Sequence, residues 1–404
     1  VGGVGVTPAI DATSSASASA SLTDLAKAHA FALGFDLVGI AALGPVETAG
    51  YFDEWLDAGY AGSMEYLARG AAKRRDSRLV RPGTTHAIVV ALDYGGKEPT
   101  GPVARYARGD DYHDVIEGKL RELHARLERD AGYPIAAKPY VDTGPLLERD
   151  LARRAGLGWF GKNTNLLHPA LGSFFFLGAL VVDAALEPDV PFEADRCGSC
   201  TRCLDACPTG ALVAPRRLDA NLCISYLTIE LRDEIPESLR PMVGELLYGC
   251  DICQDVCPWN VKFATENRVP EFAPREVIAG KNARTLAREI LAMTQDEFSA
   301  AFKGSPMKRA KLRGLRRNAA VVLGNVMDGS VLPSLTAALT DEEPLVRSHA
   351  AWAIGQPGCE AARVPVEPTD AEESRAGLPD GPAGGYTLKA LGPGRAIVGG
   401  AYRD

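Results

Sequence analysis

The chain of 404 residues carries a formal net charge of -8, is 46% hydrophobic and contains nine cysteines. That length gives room for two or three domains with ample core, which excludes a small disulfide scaffold, and no apolar run approaches the roughly 18 residues needed to cross a bilayer. The acidic total weighs against a general nucleic-acid binder, because phosphate recognition draws on Lys and Arg.

Residues 1–20 are rich in Ala, Ser and Gly, carry no Lys or Arg, and read as a disordered leader with too little apolar bulk to repay ordering. They contain neither a secretory n-region nor a twin-arginine signal, so a cytoplasmic protein with no membrane partner is expected. Folded structure is expected from Ser21, an N-cap candidate. Over residues 21–185 the pattern mixes helix and strand. His86 to Asp93, Ile135 to Val141 and Phe174 to Val182 are β-branched or aromatic runs bounded by Gly, Pro or Asp. Ile116, Leu120, Leu123 and Leu127 recur at helical spacing between them. Such long intervals suit an α/β or α+β domain rather than a sandwich.

Residues 186–265 hold the densest chemistry. Cys197, Cys200, Cys203 and Cys207-Pro208 read C-x2-C-x2-C-x3-C-P, the bacterial ferredoxin spacing, in which the fourth Cys serves the other cluster of a pair. Cys250, Cys253 and Cys257-Pro258 repeat the pattern without its first Cys, and Cys223 fills that vacancy. Two 4Fe-4S clusters follow: one on Cys197, Cys200, Cys203 and Cys257, the other on Cys223, Cys250, Cys253 and Cys207. A zinc site wants four ligands in paired C-x2-C units and leaves several of these Cys unused. Cys359 is left over as a free thiol.

Residues 266–302 read as a helical linker. In residues 303–358, Arg317-Asn318-Ala319-Ala320 and Arg347-Ser348-His349-Ala350-Ala351 each open a small-residue helix that ends in Leu-Gly or Ile-Gly. Leu332, Leu335 and Leu339 form a partner helix between them. This is a HEAT-like hairpin, and a unit so short must lean on its neighbours. The Pro/Gly-rich tail, residues 359–404, is expected to be irregular. The run 303–317 contains Lys308, Arg309, Lys311, Arg313, Arg316 and Arg317 and no acid, a candidate RNA-backbone footprint.

Several phrases beyond the cysteines resemble one family, epoxyqueuosine reductase, from about residue 21 to 355. They are Gly59-Tyr60-x-Gly62-x-Met64-x-Tyr66-Leu67, Arg105-Tyr106-Ala107-x-Gly109-x-Asp111-Tyr112-His113, Val141-Asp142, Ala155-Gly156-Leu157-Gly158-Trp159-x-Gly161-Lys162-Asn163-Thr164, Gly172-Ser173-Phe174-x-Phe176-Leu177-Gly178 and Tyr248-Gly249-Cys250-Asp251. The resemblance implies an α+β protein: an N-terminal α/β cobalamin-binding domain, a ferredoxin-like two-cluster module and the HEAT-like end. It implies reduction of epoxyqueuosine to queuosine at the wobble position of tRNA. Cobalamin would bind base-off, and a separate electron donor, not identified by the sequence, would feed a monomeric enzyme. A histidine-on site would need D-x-H-x-x-G, and Ile116 stands where that motif has Gly after Asp111-Tyr112-His113.

Asp142 matches the family's proton donor, in Val-Asp-Thr. Taken bare, it reads as a strand-end cap for a helix beginning at Pro145. Partial burial against the corrin is expected to raise its pKa. Met64, Arg105, Tyr106, Asp111, Tyr112, Lys162 and Asn163 become candidate cofactor contacts. Arg105 would serve a cofactor carboxamide or phosphate, or orient Asp142. Ser225 and Asp251 are candidates where the second cluster meets the corrin. Two other readings share parts of this pattern: a reductive dehalogenase-like corrinoid enzyme, and a non-enzymatic two-cluster electron carrier.

Overall fold

The computed structural model describes residues 21–326 and 329–357; the leader, Cys359 and the tail lie outside the described residues. Ser21 does cap the first helix, Leu22–Ala32. Its hydroxyl accepts the Asp24 N–H at 3.1 Å while the Asp24 carboxylate accepts the Ser21 N–H, a reciprocal capping box.

Strands β1 (Leu37–Ala42), β2 (His86–Asp93), β3 (Ala137–Tyr140), β4 (Trp159–Phe160), β5 (Leu166–Leu167) and β6 (Phe175–Val182) follow in chain order. A four-stranded sheet has the order β1-β2-β6-β3, and every pairing in it is antiparallel, so α+β describes the domain. Pro139 is tolerated in β3 because that strand lies at the sheet's edge. Ile88, Val90, Leu92 and Leu180 face the helices Leu22–Ala32 and Tyr112–Ala131. Ala87, Val89, Ala91 and Val181 face the helix Glu148–Arg154. β2 therefore reads as a continuous apolar run because both sides of it are covered. Gly178 on β6 has no room for a side chain: a Cβ there would stand 2.7 Å from Ile116, so its absence lets the long helix lie close on the sheet. The helices Tyr112–Ala131 and Glu148–Arg154, on opposite faces, both start near the chain that leaves β3, which brings Tyr112, Asp142 and Glu148 together.

The cysteine-bearing stretch is built from one-turn helices, Arg202–Asp205 and Ile252–Asp255, a six-residue helix Pro258–Phe263, and a two-stranded ribbon of β7 (Leu212–Ala214) and β8 (Arg217–Leu218). Beyond it, helices Ala283–Ala292, Gln295–Ala301, Lys311–Val326, Leu332–Ala338 and Pro344–Ile354 share one core. The hairpin differs from its expected form in two respects. The helix starts at Lys311, ahead of Arg317, and runs on through Gly324. Gly324 serves packing there: a Cβ would lie 2.8 Å from the Ala353 methyl on the neighbouring helix.

The dependence on neighbours is literal. Arg317 is 1% exposed, and its guanidinium donates to the carbonyls of Leu227, Leu231 and Asp233 at 2.6, 2.9 and 2.7 Å. Asn318 donates to Thr228 and Leu247. His349 accepts the Ile235 N–H at Nε2 and donates from Nδ1 to Leu345, and burial, helped by the Arg240 charge, pushes its pKa down to about 3. Arg317 is thus withdrawn from the RNA footprint, since it has no surface to offer a phosphate. Replacing Arg317 with Met should leave the buried Leu227 carbonyl unpaired, remove two further part-buried bonds, and cost about 1–3 kcal/mol. Thermal unfolding should show this, with Lys308→Met shifting stability by less than about 0.5 kcal/mol.

Candidate active site and cluster ligands

All eight cysteines of the central stretch are free thiols in the fold. Cys203 and Cys257 stand in each case beside Cys197, with Cys257 also beside Cys200. Cys250 stands beside Cys223 and Cys207, and Cys253 beside Cys250, Cys223 and, more weakly, Cys203. These neighbours sort the eight largely into two groups, and Cys207 and Cys257 each stand beside cysteines of the other run. Backbone N–H groups turn toward the sulfurs, from Ser225 and Tyr226 to Cys223 and from Trp259 and Asn260 to Cys257; the Ser225 hydroxyl adds to the first set. Burial pushes the Cys250 thiol up to about 12 and holds Cys253 well above its ordinary value, so ionised sulfurs here call for cationic partners. Among the described residues no three His, Cys, Asp or Glu side chains close on a single metal ion. Thiolates that bind separate irons of a cubane stand farther apart than the ligands of one zinc, and the donor set fits the cluster.

The sheet domain grips both cluster loops. Lys162 donates to the carbonyls of Gly198 and Cys200 at 2.7 and 2.9 Å, and Asn163 donates to Cys253 at 3.1 Å. Asn260 and Ser173 exchange hydrogen bonds across the same junction. Arg105 is buried. Its guanidinium reaches Asp251 at 3.0 Å and Asp255 at 2.7 Å, its own N–H donates to Asp251, and Phe174 lies beneath it. Met64 packs with Cys223 and Cys250 on the small core of Ile224, Tyr226 and Leu227.

Met64, Arg105, Lys162, Asn163, Ser225 and Asp251 therefore touch the cluster loops and do not line the cavity described below. Arg105 does not orient Asp142, because Asp251 and Asp255 hold its guanidinium. Their spacing in the sequence could not distinguish these two neighbours of one interface.

Tyr106, Asp111, Tyr112 and Asp142 do line a cavity of about 1340 Å³, together with Tyr66, Trp55, Phe160, Leu218, Ile229, Lys308 and Arg309. Asp142 follows β3 in a left-handed conformation, φ 55°, and the Tyr112 hydroxyl donates to its carboxylate at 2.8 Å. It caps no helix: the next one begins at Glu148, with Leu147 at its N-cap. Its side chain is 69% exposed, so the burial expected there falls elsewhere. Glu148 takes it: one carboxyl oxygen is sealed from solvent with no hydrogen-bond partner. Asp111 caps the long helix and bonds His113 Nδ1 at 2.6 Å; His113 Nε2 lies 3.9 Å from Asp142. Burial works to lower the His113 pKa, but the hydrogen bond and charge of Asp111, then Asp142, outweigh it and hold it above its ordinary value.

At the cavity rim Arg309 pairs through two 2.8 Å bonds with Glu230 and lies over the Tyr66 ring. Lys311 is exposed, Arg313 donates to the Arg232 carbonyl, and Arg316 is drawn into an ion pair with Asp341. Glu148 and Glu230 are functional candidates that sequence reasoning missed, and Tyr66 entered it only within a family phrase. The one available signal was an acid set directly after the apolar pair Leu146-Leu147.

Comparison with known proteins adds family models for a 4Fe-4S double cluster binding domain over residues 196–260, epoxyqueuosine reductase QueG over 74–143, and HEAT repeats over 309–368, partly beyond the described residues. The epoxyqueuosine reductase of Pseudomonas aeruginosa is 41% identical over 337 residues, covering 81% of this chain and 92% of its own. The chain belongs to the epoxyqueuosine reductase family. The Escherichia coli epoxyqueuosine reductase is likewise 41% identical, across 80% of this chain and 86% of its own. The Bacillus subtilis epoxyqueuosine reductase structure superposes with a TM-score of 0.74 at 34% identity, over 82% of this chain and 89% of that one. An epoxyqueuosine reductase crystallised with an epoxyqueuosine-modified tRNA-Tyr stem loop matches with a TM-score of 0.73 at 34% identity, over 82% and 88% of the two chains.

The buried Arg105 ion pair yields a test of the junction. Arg105→Met should strand Asp251 as an unpaired buried charge and cost about 3–5 kcal/mol. Chemical denaturation should show that loss, together with release of iron at lower denaturant.

Proposed function

We propose that this chain deoxygenates epoxyqueuosine in the wobble position of tRNA, with Asp142 as proton donor and a base-off cobalamin in the large cavity. The observation that carries this reading is the placement of Asp142. It stands in the wall of a cavity bounded by the sheet domain, the cluster module and the start of the helical end. At about 1340 Å³ the cavity exceeds the roughly 300–1,000 Å³ of ordinary small-ligand pockets, as a corrinoid together with a nucleobase would require. Its walls fit a large planar group, since Trp55, Tyr66, Tyr106, Tyr112 and Phe160 supply faces and edges. His113 lines the cavity but is held by Asp111, and Ile116 interrupts the D-x-H-x-x-G pattern of a histidine-on site.

When bound, cobalamin supplies a strongly reducing cobalt centre, and the clusters, on Cys197, Cys200, Cys203 and Cys257 and on Cys207, Cys223, Cys250 and Cys253, supply electrons singly. The chain's own residues do the rest. Tyr112 holds the Asp142 carboxyl by its hydroxyl, and the Asp111–His113 pair sets a positive charge beside it, at the positive end of the long helix. Met64 and Ser225 stand at the second cluster instead, Met64 packed with Cys223 and Cys250 and Ser225 turned toward the Cys223 sulfur.

The substrate's flanking RNA would meet Lys308, Arg309, Lys311 and Arg313 at the rim, and Tyr66 offers an exposed ring for stacking. The modified stem loop crystallised with one relative supports an RNA substrate. The Bacillus subtilis structure, whose catalytic aspartate loop is swung out of the active site, supports reading residues 141–147 as a loop that carries Asp142 in and out. Asp142→Asn should keep fold, clusters and corrinoid binding but lose at least about 100-fold in single-turnover rate. Full turnover in that variant would remove Asp142 from the role.

A further inference from the structure

Removal of an epoxide oxygen as water consumes two electrons and two protons. Both carbon–oxygen bonds break, a carbon–carbon double bond forms, and both protons leave on the oxygen. Asp142 carries one proton at most, and its exposed side chain is placed to deliver it rather than to store another.

A second acid lies on the same loop. Glu148 opens the helix Glu148–Arg154 directly after Leu146 and Leu147, and it contributes to the wall of the same cavity. Its Oε1 is cut off from solvent and receives no hydrogen bond. The Asp142 N–H turns toward its carboxyl, so the two acids are joined through the backbone of the residue that acts. The charged and titratable groups facing it are Asp142 from the loop, Arg149 from its own helix, Arg74 from the helix Ala71–Arg75 and Tyr112 from the long helix. None of these cations forms a hydrogen bond to the sealed oxygen. A carboxylate would leave that oxygen both charged and unsolvated, whereas a carboxylic acid suits the site.

We propose that Glu148 is the proton reserve of this active site, holding the second proton of each turnover and passing it to Asp142 after Asp142 has given up its own. The transfer is a proton exchange alone: Glu148 carboxylic acid and Asp142 carboxylate become Glu148 carboxylate and Asp142 carboxylic acid. No electron moves, and Glu148 is reloaded from solvent between turnovers. This rests on the reading of Asp142 as donor. Desolvation, then the neighbouring Asp142 charge, supports it by pushing the Glu148 carboxyl up to about 8, so that the acid form is present at neutral pH. The arrangement divides the labour that a single buried Asp cannot perform, since the donor must reach the substrate and the store must be shielded from water.

The test pairs a pH profile with infrared spectroscopy. In wild-type holoenzyme the single-turnover rate should fall as pH rises through about 8, where Glu148 loses its proton. Glu148→Gln should lose about tenfold to a hundredfold in rate and lose that alkaline limb, with the binding of the modified stem loop and the cluster spectrum retained. Glu148→Asp should recover part of the rate and restore a limb. In the infrared, wild-type chain should show a carboxylic C=O band that disappears through the same pH range and is missing from Glu148→Gln. Wild-type rate and an unchanged profile in Glu148→Gln overturn the proposal, as does a band that titrates in the ordinary carboxylate range. If Glu148→Gln fails to fold, the wild-type infrared titration alone decides. If no form of the enzyme acts on epoxyqueuosine, the assigned reaction fails, while the infrared band separately reports whether Glu148 holds its proton.

Discussion

Holding eight half-buried sulfurs close together in one stretch of chain is the constraint on which the rest of this structure depends. An isolated sulfur anion is unstable away from water, and the positions of Cys250 and Cys253 show how strongly the fold alone would keep them protonated. Cationic iron reverses that preference, and metal binding is then folding free energy for a stretch whose helices are mostly single turns. Cys207 and Cys257 each stand beside cysteines of the other run, which ties the two runs together. The sheet domain completes the clamp from outside through Lys162, Asn163, Ser173 and the Arg105–Asp251 pair.

The same physics organises the cavity by opposite means. There the charges stay near the surface or are held in pairs, as with Asp111–His113 and Glu230–Arg309. One carboxyl oxygen, on Glu148, is sealed in without a hydrogen bond. Desolvation separates two acids on one loop into different roles, with the exposed one free to meet substrate. The antiparallel sheet matters to this arrangement because the long helix and the helix Glu148–Arg154 cover its opposite faces and both begin beside the end of β3.

The parts legible in the sequence were those with a strict period or spacing. The thiolate set follows from gaps of two and three residues. β2, the sheet's central run, and the helix carrying Ile116 to Leu127 follow from burial on two faces and on one. What escaped was anything settled by the partner across an interface. Arg317 and Arg316 belong to a basic run in the sequence, but carbonyls of the cluster module bury the first and Asp341 claims the second. Arg105 sits beside Tyr106 in the chain, yet one side chain enters the cluster junction and the other the cavity. Gly324 resembles a helix stop and is a contact point between two helices. Local sequence cannot report such partners because they lie, in the case of Arg317, some 90 residues away.

The most direct measurement is a single turnover with protein carrying both clusters and cobalamin, reduced and mixed with an anticodon stem loop that bears epoxyqueuosine. Mass spectrometry of the base should show loss of one oxygen in proportion to enzyme, and no loss when cobalamin is withheld. An unchanged base with all cofactors loaded and reduced, or equal conversion without cobalamin, would contradict the reading of this cavity as the site where the epoxide is reduced.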